Sequence, residues 1–185
     1  MRNFVLIFLL SMCLLIYPLM VYAQVKDAFL DSVSTASGEE YILPYPGLLP
    51  DSPLYIAKVI RDRIIEFLIA DSLKKSEFYL LESDKRLQAG IMLLKKRADK
   101  SELAYSTISK SENYFEKAIM LAKDAKTQGK DIANQAQNLV RSLKKHRAIL
   151  ASLLKTGPKN LKEQFMHSDK RLRGFDGQVS IFLSN

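Results

Sequence analysis

The sequence predicts an all-α fold, an antiparallel bundle of four to five helices that follows an N-terminal export segment. Three observations lead there. Leu73, Leu80, Leu87 and Leu94 fall seven apart, with Leu81 and Ile91 widening the stripe; this is the spacing of one face of a long packed helix, coiled-coil-like in period. Trp is absent, and 185 residues hold only 7 Gly and 6 Pro, fewer breaks than the frequent turns of a β-sandwich require. A hydrophobic content of 48% with 26% charged residues is that of a chain able to build a core, not of a wholly disordered one.

The elements follow in order. Residues 1–23 carry Arg2, an apolar run from Phe4 through Ile16, a break at Pro18, and Val21-Tyr22-Ala23 before Gln24. These are the n-region, h-region and cleavage site of a secretory signal, with cleavage expected after Ala23. The alternative is an uncleaved membrane anchor, since the stretch 4–23 is about the length that spans a bilayer. Lipidation at Cys13 is disfavoured by Met12 before it and by the apolar run continuing past it. Roughly 160 residues then remain for folding, enough for one domain with a real core.

Residues 24–43 read as a flexible tether, because Ser32-Val33-Ser34-Thr35-Ala36-Ser37-Gly38-Glu39-Glu40 offers little apolar surface. The bundle domain is expected over 44–174, opening with a stiff Pro-rich collar at 44–53, where Pro44, Pro46, Pro50 and Pro53 favour extended geometry. Leu48, Leu49, Leu54 and Tyr55 are expected to pin the collar to the domain. Asp51 or Ser52 as cap, with Pro53 in the first turn, starts a helix running to about Ala70. Its Ile56, Val59, Ile60, Ile64, Ile65, Phe67 and Leu68 predict a buried central element.

Asp71 or Ser72 restarts the chain into a second helix to about Arg97, with Glu82 and Arg86 as an i,i+4 pair on its outer side. Asp99 and Glu102 open a third helix that Gly129 stops. Asp131 caps a fourth, which ends at Gly157-Pro158. A short fifth passes through Leu161, Phe165 and Leu172 to Gly174, leaving 175–185 as a tail. Gly90 lies mid-helix, where it costs about 1 kcal/mol against Ala; close approach of a neighbouring helix accounts for it. Ser83-Asp84-Lys85-Arg86-Leu87 recurs as Ser168-Asp169-Lys170-Arg171-Leu172. The flanks agree poorly, so a chance match is preferred to a shared ancestry of two hairpins.

Chemistry-bearing residues are sparse. Cys13 lies in the export segment, so the mature chain has no disulfide, thiol nucleophile or thiolate metal site. His146 and His167 belong to no close ligand pair, and no metal or cofactor site is expected. The carboxylate pairs Asp62/Glu66 and Glu112/Glu116 each share a helix face, but Arg61, Arg63 and Lys117 lie alongside, so solvated ion pairs are expected. No Gly-x-Ser-x-Gly turn and no Gly-rich phosphate loop is present. No catalytic residue is therefore assigned, and an enzyme is not expected.

The net charge of +8, one less once Arg2 leaves, favours anionic company. Arg141, Lys144, Lys145, Arg147, Lys155, Lys159 and Lys162 make the C-terminal third basic and are the candidate contacts to an anionic wall polymer or lipid. Screened surface charge explains them equally. Interleaved exposed aromatics and a base-reading helix are missing, so nucleic acid is not an expected partner.

The stretch Leu43 to Leu87 carries a collar ending in Leu49-Pro50-Asp51-Ser52-Pro53-Leu54-Tyr55, then Lys58, Arg61-Asp62, Lys74-Lys75 and Asp84-Lys85-Arg86-Leu87. It resembles a family of bacterial extracytoplasmic helical domains known only as a domain of unknown function. The resemblance covers about a quarter of the chain. It implies a helical fold outside the cytoplasm and no assigned reaction. Some members are joined to anti-sigma-factor-like modules, but only Met1-Arg2-Asn3 precedes the apolar run here, so that role is not expected. The combined expectation is an exported or membrane-tethered, non-enzymatic module of the bacterial cell envelope. Its partner would be an envelope protein or anionic polymer; the alternative is a polyanion-binding domain using the basic C-terminal third.

Overall fold

The structure, a computed structural model, describes residues 41–182 apart from residue 97 and the side chain of residue 98. The export segment at 1–23, the tether up to residue 40 and the last three residues lie outside the described residues. Among the described residues there is no strand, and five helices follow one another: α1 (Tyr55–Leu68), α2 (Ser72–Lys96), α3 (Ser101–Thr127), α4 (Ala133–Thr156) and α5 (Lys162–Ser180). Short 3-10 turns at Ala98–Lys100 and Lys159–Leu161 precede α3 and α5.

The helix boundaries have local causes. Asp71 Oδ1 accepts a bond from the Lys74 amide (2.9 Å) and caps α2. At the end of α3, Gly129 adopts φ +75°, and the amides of Gly129 and Lys130 donate to the carbonyls of Lys126 and Ala125. This left-handed helix stop favours a residue without a Cβ. Asp131 Oδ1 then accepts from the Ala133 amide (2.9 Å) and starts α4, which Gly157-Pro158 terminates.

Two expected starts are shifted. Of the two expected α1 caps, Asp51 instead pairs with Lys96 at the far end of α2 (3.7 Å), while Ser52 Oγ accepts from the Leu54 amide (3.4 Å), and the helix begins two residues after Pro53. A 3-10 turn containing Asp99 precedes α3, whose N-terminus carries no side-chain cap bond. The fifth helix does not end at Gly174. It runs through Gly174 and Gly177 to Ser180 because Phe175 and Val179 extend the buried stripe of Phe165 and Leu172. Burying two such side chains, at about 1.5–3 kcal/mol each, outweighs about 1 kcal/mol per helical glycine. Packing therefore continues past 174 as far as Phe182, which is also buried.

The four long helices form two antiparallel hairpins. Along α2 and α3, Ser76 meets Ala118, Ser83 meets Ser111, and Gly90 meets Ala104 and Ile108, so one helix ascends as the other descends. The Ser76 and Ser83 hydroxyls donate directly to the α3 carbonyls of Ala118 (2.7 Å) and Ser111 (2.8 Å). A Cβ on Gly90 would lie 2.4 Å from Ile108 Cγ1. Ser76, Ser83 and Gly90 are seven apart, as are Ala104, Ser111, Ala118 and Ala125. Small side chains at one repeating position on each helix let the two backbones approach closely.

The α4–α5 hairpin lies alongside in the same sense. Ser76 and Asp84 of α2 meet Gln135 and Ser142 of α4, while Tyr105 and Phe115 of α3 meet Phe165 and Phe175 of α5. The core between the hairpins holds Leu80, Leu87, Ile108, Phe115, Leu139, Leu143, Leu150, Phe165 and Leu172. The two Ser-Asp-Lys-Arg-Leu copies sit on non-equivalent helices, the first of one hairpin and the second of the other. What they share is a buried Ser and a buried Leu one turn apart.

The first helix departs from expectation. It is not a central buried element but lies outside the bundle, and its only buried residues are Lys58 and Asp62. Ile56, Ile60, Ile64, Phe67 and Leu68 face outward, from 56% to 86% exposed. The collar differs too. Leu48 and Leu54 are exposed, and the chain is held instead at Pro46 and, ahead of the collar, at Tyr41 and Leu43, two residues expected to belong to the tether. Among the described residues no helix is long and apolar enough to cross a membrane.

Candidate functional site

Among the described residues, three buried polar assemblies each centre on a carboxylate that helical periodicity turns inward. The first centres on Asp84 of α2. Its Oδ1 accepts from the Ser142 hydroxyl (2.6 Å) and meets His146 Nε2 (2.8 Å), both on α4; its Oδ2 accepts from the hydroxyl of Tyr41, which precedes the collar (2.5 Å). Three donors satisfy a carboxylate that is 2% exposed. Burial, then the Asp84 charge, hold the Tyr41 phenol well above the ordinary tyrosine range. Phe115 packs on the His146 ring, 5.4 Å between centroids. Aspartate, histidine and serine therefore meet, but both the Ser142 hydroxyl and the imidazole bond the carboxylate. They do not form the serine-to-histidine-to-aspartate relay that activates a nucleophile. His146 is 1% exposed and lines neither of the two grooves described below.

The second assembly joins α1 to α2. Lys58 Nζ pairs with Asp62 (3.1 Å) on its own helix and reaches Glu82 Oε2 (3.7 Å) on α2; Lys85 and Arg86 complete the ring around Glu82 at 3.2 Å and 3.8 Å. The Tyr55 ring lies between Lys58 and Arg86, at 5.8 Å and 5.5 Å. The Tyr79 hydroxyl donates to Glu66, and burial with that neighbouring charge raises the Tyr79 phenol above its usual range. The Glu82–Arg86 pair, expected on the outer side of α2, is thus buried beneath α1. Asp62 is likewise buried rather than solvated, because Lys58, Asp62 and Glu66 form one polar stripe that matches the Tyr79-Glu82-Arg86 ridge of α2.

The third assembly surrounds Glu112 of α3. Arg171 of α5 reaches Glu112 (3.5 Å), Glu116 (2.7 Å) and Asn113 (2.7 Å). Glu112 is 2% exposed, and burial lifts its carboxyl above the usual carboxylate range despite the opposing Ser168 hydroxyl and Arg171 charge. This pair was also expected to be solvated; α5 covers its Glu112 half. Among the described residues no three His, Cys, Asp or Glu side chains converge in a way that could hold a metal ion.

The basic C-terminal third is distributed rather than gathered. Lys144 and Arg147 line a shallow groove of about 560 Å³ between α4 and α5, together with Arg173, Asp169 and Asp176. Arg147 is already paired with Asp176, and Arg173 with Asp169. Lys155, Lys159 and Lys162 stand exposed around the α4–α5 turn, while Arg141 and Lys145 are half-buried and engaged within the protein. A second groove of about 530 Å³ runs between the C-terminal ends of α2 and α4, lined by Ile91, Leu94, Ile149 and Leu153. His167 is exposed.

No protein-family model, curated protein or solved structure matches this chain.

The feature that stands out is the outer face of α1. Ile56, Phe67, Ile60, Ile64 and Leu68 span an arc of roughly 120° on the helix, with Arg63 beyond one edge and Arg61 beyond the other. Several hundred Å² of contiguous apolar surface is about the size that marks an interaction site. Reading the helix as apolar all round missed this. The signal was available in the i,i+4 row Lys58, Asp62, Glu66, which makes the helix two-faced. The Asp84 assembly had no such signal, because its donors come from positions 41, 142 and 146.

Proposed function

We propose that this chain is an exported, non-enzymatic helical module of the cell envelope whose role is interaction, with the outer face of α1 as the surface it presents. The observation that carries this reading is the inversion of α1: its charged side is locked onto the bundle and its apolar side is turned out. Export is supported by the signal-like pattern of residues 1–23. A non-catalytic role is supported by the enclosure of His146, Asp84 and Glu112 within packed side chains.

The test has two arms. Protease added to intact cells, against lysed controls, should degrade the protein; protection in intact cells overturns export. A photo-crosslinking residue at Ile60 should give adducts that the same residue at buried Leu139 does not; equal yields overturn the assignment of the surface. The alternative of polyanion binding rests on exposed Lys144, Lys155, Lys159 and Lys162. It requires affinity for anionic polymer that falls steeply with salt.

A further inference from the structure

We infer that α1 docks in the headgroup region of an anionic lipid bilayer, with its apolar arc in the acyl boundary and Arg61 and Arg63 on lipid phosphates. This rests on the reading of α1 as the interaction surface and names what covers it.

Charge segregation selects lipid over the other occupants. Both acidic residues of α1 are turned away from the apolar arc. Asp62 is buried against Lys58 and Arg61, and Glu66 accepts from Tyr79. The exposed charges bordering the arc are therefore the two arginines, one on each flank: Arg63, and Arg61, whose Nε and Nη2 donate to Asp62 (3.1 and 2.7 Å) while its side chain stays 61% exposed. An apolar face edged by cations is the pattern of a helix lying in a membrane interface, where long basic side chains reach phosphates while apolar ones sink about 5–10 Å. A two-fold contact between copies would set like-charged rims against each other whether the two α1 helices ran parallel or antiparallel. The face is also a convex ridge; neither described groove includes an α1 residue.

The order of the chain fits the same occupant. The apolar run Phe4–Ala23 ends roughly 17 residues before Tyr41, a connection of at most about 60 Å. With that run retained in a bilayer, α1 docks as an intramolecular step; with it removed, α1 supplies the membrane contact itself.

The experiment uses the full chain with Cys13→Ser, so that a single engineered cysteine carries an environment-sensitive fluorophore. The label is placed at Ile60→Cys, or at Met120→Cys on the exposed side of α3 as reference. Vesicles are phosphatidylcholine alone, or phosphatidylcholine with phosphatidylglycerol at three to one. The Ile60 label should brighten several-fold, shift to the blue and be quenched by nitroxide lipids in the anionic vesicles, while the Met120 label stays in water. Arg63→Gln should lower the docked-to-undocked ratio about fivefold, and Arg61→Gln with Arg63→Gln about 25-fold, at unchanged helicity.

An Ile60 label that stays in water with both vesicles overturns the proposal. So does one already shielded without lipid, whether independent of dilution (the chain's own residues cover α1) or lost on dilution (a second copy does). Equal response in the two vesicles overturns the role of the arginines. The measurement does not depend on cellular compartment, so it can fail while export holds, and export can fail while docking holds.

Discussion

α1 is the more apolar element, with 9 apolar residues in 14 against 11 in 25 for α2 and 12 in 27 for α3, yet it and the α2–α3 hairpin solve opposite problems. In the hairpin, Leu80, Leu87, Ile108 and Phe115 turn inward, and the Ser76-Ser83-Gly90 row lets the helices close on one another. In α1 the isoleucines face out, and contact with the bundle runs through Lys58, Tyr55 and Glu66 to a ridge of Tyr79, Glu82 and Arg86. The difference teaches that apolar content does not decide which face of a helix is buried. Complementarity does: the α2 ridge offers charges and the Tyr79 phenol, which the polar stripe of α1 pairs through Lys58 and Glu66 and its apolar arc could not. Glu82 Oε2 and Arg86 Nε still lack a hydrogen-bond partner. A buried charge without a partner costs more than an exposed isoleucine.

The contrast can be broken at graded strength. Asp84→Ala removes the acceptor shared by Tyr41, Ser142 and His146, leaving three buried donors. It should lower unfolding free energy by about 3–5 kcal/mol in urea titrations. Lys58→Met takes one cation from the ring around Glu82, where Lys85 and Arg86 remain, so a loss of about 1–3 kcal/mol is expected. Proteolysis within α1 should accelerate while α2–α5 stay protected from hydrogen exchange. If α2–α5 lose protection equally, α1 is part of the bundle and the contrast fails.

Gly90→Ala sets the gain in helix propensity, about 1 kcal/mol, against a clash with Ile108 and the Ala104 carbonyl. A net loss of about 1–2 kcal/mol in the same titration supports close packing; stabilisation contradicts it.

Glu112→Gln sharpens the picture through pH. Burial raises the Glu112 carboxyl in the folded chain, so folded protein holds that proton at pH values where unfolded chain has released it. Stability from this group is therefore present below the ordinary carboxylate range and lost as pH rises through the raised value. The glutamine variant lacks this loss. Its melting temperature relative to the unaltered chain should rise as pH climbs above the ordinary carboxylate range; a flat difference rules the effect out. Ile60→Gln should have the smallest effect, within about 0.5 kcal/mol of the unaltered chain in thermal melts. A larger loss would mean that the outer face of α1 is covered within the folded chain.

The helical class, the positions of α2 through α4, the stop at Gly129 and the reason for Gly90 were legible in the sequence, because each depends on periodicity or on backbone geometry within a few residues. The end of α5 was not. Gly174 and Gly177 are local stop signals, and they lose to the burial of Phe175 and Val179 against α3 and α4, which no local window contains. The Asp84 assembly was equally hidden, since its meaning depends on Tyr41, Ser142 and His146 arriving at one point.

By itself, then, the sequence determined how much of this chain is helix and where most helices begin and end, since hydrogen bonding along a helix is local and breakers act on their neighbours. Tertiary structure alone decided which side of α1 meets water. That choice compares two desolvation costs across separate helices, and the lower one belongs to leaving Ile56, Ile60, Ile64 and Phe67 outside.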